Sequence, residues 1–146
     1  MSLLKRLFGW KPERNTAKRT GFFWQVRDLP ALSAGRGFNQ NVVGESFHKS
    51  ALRRITGGST HYGVTVDKTA ELSIGSFEGN AALFVSIDGE RVGSISRQEN
   101  ADLITELSAI TSAGRATAKA NISAGYEGAD YSVRLSLSRP LKVRDV

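Results

Sequence analysis

The side chains in this sequence that could do chemistry are aromatic rings and cations set near turns, not the paired nucleophiles and bases of an enzyme. Phe47 is followed by His48, Lys49, Arg53 and Arg54; Phe77 is followed by Glu78, with Arg97 further along. A ring stacks on a nucleobase and a nearby cation neutralises its phosphate, so such groupings suit nucleic-acid binding. Tyr131 is a third candidate ring. Each ring also suits a core, where most aromatics lie. Tyr131 continues an apolar face, which favours the core. Phe77 differs, because it precedes a strand that already has its apolar set, sits beside an acid and has a glycine two residues on.

Catalytic chemistry has little to draw on. There is no cysteine, so disulfides, thiolate metal sites and thiol nucleophiles are excluded. Two histidines, His48 and His61, are too few for a zinc site, although carboxylates remain available for a hard cation. Asp88 and Glu90 flank a hairpin tip as solvated residues, and His48 stands at the mouth of a helix as a surface or capping residue. The sequence contains no phosphate-binding glycine loop, nucleophile elbow or H-E-x-x-H motif. The expectation is a protein that is not an enzyme and uses neither cofactor nor metal.

Charge is distributed unevenly. Residues 1–27 carry seven Lys or Arg against Glu13 alone, while residues 28–146 carry thirteen of each sign, so the whole net charge of +6 lies in the N-terminal arm. Leu3, Leu4, Leu7 and Phe8 would share one side of a helix there, beside Lys5 and Arg6. Such an arm can dock on a protein partner, an anionic membrane surface or nucleic acid. No apolar run reaches signal-peptide or membrane-span length, which leads us to expect a cytoplasmic protein with no integral membrane association.

The elements that must position these residues follow from periodicity. Residues 28–41 are turn-rich and predict a linker; the FFW at 22–24 is apolar enough to dock on the domain after it. VVGESF (42–47) predicts a strand and HKSALRRI (48–55) a short helix, stopped by the glycines of GGS (57–59). Tyr62, Val64 and Val66, then Ala70, Leu72 and Ile74, alternate as one long strand with a bulge near Asp67. Asp88-Gly89 predicts a two-residue hairpin turn, with Val85 paired to Val92 and Phe84 to Gly93. Ser96 and Glu99 spell a capping box before a helix whose stripe is Leu103, Ile104, Leu107 and Ile110, ended by Gly114. Strands at about 115–124 and 130–138 flank GYEGA; the second puts Tyr131, Val133, Leu135 and Leu137 on one face and Ser132, Arg134 and Ser136 on the other. The predicted fold is mainly β (α+β): a small, OB-like, partly open six-stranded barrel with two short helices. It divides into a basic arm and linker (1–38), the barrel (39–139) and a C-terminal tail (140–146).

Three segments, VVGESFHKSALRRI, FEGNAALFVSIDGERVGSISR and YSVRLSL, resemble the HIRAN domain in order and spacing, most closely at NAALFVSIDGERVGSI. The resemblance covers about two-thirds of the chain. It implies a modified OB-like barrel that binds DNA without enzymatic activity and, in the larger members, captures the 3′ end of a single strand. By that resemblance Phe77 and Glu78 match a Tyr-Asp pair that stacks on the terminal base and accepts the 3′-hydroxyl, and Asn80 matches the family's asparagine. Phe47 and His48 match an aromatic pair, Arg97 a phosphate contact and Tyr131 an aromatic near the last strand. The chain departs from the family pattern where GSFEG replaces N-P-Y-D-x, at Ser46 where a basic residue is usual, and at Ser94.

The leading expectation is a module for single-stranded DNA and its free 3′ ends, of use in DNA repair or replication. The alternative is a non-catalytic adaptor that docks through its arm on a protein partner or an anionic membrane surface. A third reading, the weakest, is a metal-assisted nuclease.

Overall fold

Alternation along one strand organises the sheet. In the computed structural model, which describes residues 29–58, 63–125 and 130–144, β2 (Val64–Phe77) is a single strand pairing with two neighbours. Ala70 and Leu72 turn inward and are fully buried, while Ser73, Gly75 and Phe77 alternate with them towards the outer face. The bulge expected near Asp67 is absent: pairing with β5 runs unbroken from Val64↔Ala124 to Ser73↔Arg115. Lys68 takes an inward position in that alternation and reaches the Asp88 carboxylate at 3.4 Å, so a charged residue keeps the register.

The strands run in the order β1-β6-β5-β2-β3-β4, with every neighbouring pair antiparallel. Here β1 is Gln40–Asn41, β3 Asn80–Ile87, β4 Glu90–Ser94, β5 Arg115–Ala124 and β6 Tyr131–Ser136. Two helices, α1 (Lys49–Thr56) and α2 (Arg97–Ile110), complete the mainly β, half-barrel fold. Their buried residues, Leu52 on α1 and Leu103 and Leu107 on α2, join Leu83, Val85 and Ile87 of β3 in one core. The inner face of β5 is Ala116, Ala118, Ala120 and Ile122, small residues that leave room for the larger ones opposite.

Four residues join the two edges of the sheet. Gln40 and Asn41 pair with β6, and the Val42 amide donates to the Val133 carbonyl at 3.1 Å. Val43 then exchanges two hydrogen bonds with Ser94 of β4, at 2.8 and 2.9 Å. The strand expected over 42–47 is therefore this short crossing. It ends at Gly44 (φ 85°), after which Glu45–His48 forms a 3-10 helix.

The linker expected over 28–41 is, from residue 29 on, a packed strap. Leu32 is buried, its amide donates to the Thr117 carbonyl at 2.8 Å, and it bridges Val143. The Asn39 side chain exchanges hydrogen bonds with the Leu137 backbone at 2.8 and 3.0 Å. Ser136, expected outside, is buried because the strap covers it: the Gly35 amide donates to its hydroxyl at 3.0 Å. The basic arm, the FFW segment and residues 126–129 of the GYEGA turn lie outside the described residues.

The hairpin turn at Asp88 (φ 53°) and Gly89 (φ 80°) forms as predicted, but its register does not. Ser86 pairs with Arg91 and Val85 with Gly93, so Val92 is the extra residue of a bulge. Both Val92 and Gly93 are buried as a result. Gly93 makes room for the edge-joining segment, not for Phe84: a Cβ there would lie 2.5 Å from Val42 Cγ1 and from the Val43 carbonyl oxygen. The Phe84 ring lies over Gly75 instead, where a Cβ would approach it to 2.8 Å.

Helix α2 begins after Ser96 as expected, without the capping box. Ser96 makes no side-chain cap, and the Glu99 carboxylate accepts from Gln40 Nε2 at 2.7 Å, tying α2 to β1. The helix ends at Ile110, ahead of Gly114 (φ 69°), which instead turns the chain into β5. Gly93→Ala drives a methyl group into backbone at the joined edges, and overpacking of this kind costs about 1–3 kcal/mol. We expect its urea midpoint to fall accordingly; an unchanged midpoint would show that the joined edges contribute little.

Candidate functional site

The outer face of the β2–β3 hairpin forms the wall of a cleft. Phe77 and Asn80 are cross-strand partners, as are Gly75 and Ala82, and Ser73 and Phe84. Partners share a face, so Phe77, Asn80, Ala82 and Phe84 all point away from the core. This explains the aromatic ahead of a strand already supplied with apolar residues: Phe77 is on the opposite face. Glu78 (φ 52°) and Gly79 (φ 81°) form the turn, both with positive φ as the tightest hairpin turn requires. Glutamate is an unusual choice there, because a Cβ in that conformation costs roughly 1–2 kcal/mol. The Asn80 amide donates to the Glu78 carbonyl at 3.3 Å and helps to hold the tip.

A second wall comes from the 3-10 helix. Gly44 turns the chain off the joined edges, and Glu45 anchors the following turn by accepting from the Val133 amide at 3.0 Å. Phe47 is left 86% exposed and Phe77 63% exposed, the two most exposed large apolar residues among those described. Both line one cleft of about 580 Å³, together with His48, Glu78, Asn80 and Arg97. Six of the seven residues singled out from sequence thus meet in one place. Tyr131 does not join them: it is buried in the core, on the inner face of β6 opposite Ala124.

The site also holds residues that sequence reasoning passed over. Phe84 lines the cleft with the Arg91 guanidinium 3.7 Å from its ring centre, a cation–π contact. Asn100 lines it from α2. The bulge left no local signal, whereas Asn100 stands on the stripe of Leu103 and Leu107, where a polar residue is out of pattern. A second cavity of about 500 Å³ adjoins the first and shares Phe47, His48 and Arg91 with it.

The cations divide by their partners. Lys49 pairs with Asp130 at 3.1 Å, and Arg54 pairs with Glu90 through two hydrogen bonds. The hydrogen bond to Glu90 raises the Arg54 pKa, and the same bond holds the Glu90 carboxyl below its usual range. Arg97 has no acidic partner among the described residues, and the Glu78 carboxylate has no partner either. Arg53 is exposed on α1 and lines neither cavity. Among the described residues no three His, Asp or Glu side chains gather as a metal site, and no helix is long and apolar enough to cross a membrane. No protein-family model, curated protein or solved structure matches this chain.

Asparagine adopts positive φ more readily than glutamate, so Glu78→Asn relieves strain at the hairpin tip. We expect a gain of about 0.5–1 kcal/mol in chemical denaturation. A loss of stability would mean that the Glu78 side chain supports the fold.

Proposed function

We propose that this protein is a HIRAN-like module that binds single-stranded DNA at a free 3′ end in the Phe47–Phe77 cleft. The observation that carries this reading is the meeting, in one concavity, of two exposed phenylalanines with a guanidinium and a carboxylate that are unpaired among the described residues. Exposed rings lose favourable burial, and a base stacked on them restores it, contributing about 1–3 kcal/mol per base. Arg97 stands at the start of α2, where the Ser96 side chain makes no cap, and a helix start favours a phosphate. Glu78 accepts a hydrogen bond from a 3′-hydroxyl and repels a 3′-phosphate, so the same carboxylate selects the end. The adjoining cavity gives the next nucleotides a path past Phe47. No step in this reading calls for a catalytic group.

The salt dependence of binding separates this reading from docking through the basic arm. The chain from residue 28 onward is formally neutral, so the cleft's contacts are few. Two phosphate contacts, by Arg91 and Arg97, give a slope of log affinity against log salt of about −1.4, whereas seven arm cations give about −5. Fluorescence anisotropy of a ten-nucleotide strand on the full chain tests both. We expect the shallow slope, tighter binding of a 3′-hydroxyl than a 3′-phosphate end, and a loss of about tenfold or more in Phe77→Ala with Glu78→Ala. Binding that ignores the end, shows the steep slope and disappears when the arm's cations become glutamine would assign the contact to the arm.

A further inference from the structure

Asn100 lies near the start of α2, on the face that carries Leu103 and Leu107 into the core. Its side chain is 7% exposed, lines the cleft and makes no hydrogen bond with any described residue. The other two buried side-chain amides among the described residues both have hydrogen-bond partners. Gln40 bonds Glu99 and Arg139, and Asn121 donates to Asp67 at 2.9 Å. An amide carries two donor hydrogens and an acceptor oxygen, and leaving these unpaired in an interior is costly. Asn100 lines the cleft together with apolar residues (Ala82, Phe84, Ile95) and polar ones (Ser94, Ser96, Arg97), so a molecule held in the cleft can reach its amide.

We propose that Asn100 reads the hydrogen-bonding edge of the nucleobase stacked in the cleft. This rests on the nucleic-acid reading above and extends it from the sugar end of the nucleotide to the base. Each of the four bases presents a donor beside an acceptor, and an amide offers the complementary pair in either sense by turning over. Asn100 thus admits any natural base, yet distinguishes it from one stripped of its exocyclic group. Stacking on Phe47 and Phe77 supplies the base-independent part of the affinity, and Asn100 adds the requirement for an intact base edge.

The test compares two ten-nucleotide strands that differ only at the 3′-terminal base, adenine in one and unsubstituted purine in the other. Both stack, but only adenine carries the exocyclic amine. On the full chain, anisotropy should show adenine bound about tenfold more tightly, in line with bidentate contacts elsewhere. Asn100→Leu should bind the two equally and, freed of an unpaired buried amide, melt roughly 3 °C higher. If the leucine variant does not fold, Asn100→Ala makes the same comparison. Equal affinity of the wild type for both strands, or a preference that survives in the variants, overturns the assignment of Asn100 while leaving end recognition intact. Failure of the wild type to bind any strand overturns both.

Discussion

The antiparallel bridge between Val43 and Ser94 is the contact on which the rest of the structure depends. It brings the edge of β4 to the chain that is already paired with β6, so a six-stranded sheet curls into a partly open barrel. Open edges leave backbone donors and acceptors unpaired, and this crossing satisfies several at once. Its geometry needs a residue without a side chain at position 93 and a bulge at Val92 to bring that residue into place. It also sets the departure point of the chain. From Gly44 onward the backbone must turn away from the sheet, and that turn carries Phe47 to the cleft.

The cleft is consequently built by three parts of the chain far apart in sequence. The hairpin tip contributes Phe77, Glu78 and Asn80, the 3-10 helix contributes Phe47 and His48, and the start of α2 contributes Arg97 and Asn100. The tie from Gln40 to Glu99 links two of these parts directly, because β1 leads into the 3-10 helix and Glu99 lies between Arg97 and Asn100. In the adjoining cavity the charges compensate one another: Lys49 pairs with Asp130 and Arg54 with Glu90. Exposed pairs of this kind add little stability. Their effect is to leave a restricted set of charges, Arg97 and Glu78 among them, to define the field inside the cleft.

Two positions there break local rules. Glu78 holds a backbone conformation that suits asparagine or glycine, and Asn100 occupies a stripe position that suits leucine. Strained or unsatisfied groups persist where surrounding structure enforces them, and they concentrate at sites of function. Elsewhere such conflicts are met by partners: Lys68, inward on β2, reaches the Asp88 carboxylate, and the two other buried amides among the described residues are bonded. That contrast separates the site from the scaffold by physical criteria alone.

Local pattern was enough to determine much of this protein. The alternation of β2, β3 and β6, the Asp88-Gly89 turn, the placement of both helices and the mainly β class follow from periods of two and 3.6 and from turn chemistry, all of which act over a few residues. Of the seven residues that the resemblance singled out, the fold brings Phe47, His48, Phe77, Glu78, Asn80 and Arg97 to one cleft and buries Tyr131 in the core. What pattern could not supply were the choices made by distant neighbours. Gly93 faces Val42 and Val43 instead of Phe84 because the edge-joining segment fills that space, and this shifts the hairpin register by one residue. Residues 29–41 look like a linker because their apolar content is sparse, yet Leu32 finds its partners in β5 and the C-terminal segment and Gly35 in β6. Tyr131 and Phe77 are both aromatic residues at strand ends; pattern favours the core for Tyr131, and the pairing of each strand fixes that its ring is buried while that of Phe77 meets solvent. Burial is a property of what lies opposite, and that is settled only when the sheet closes.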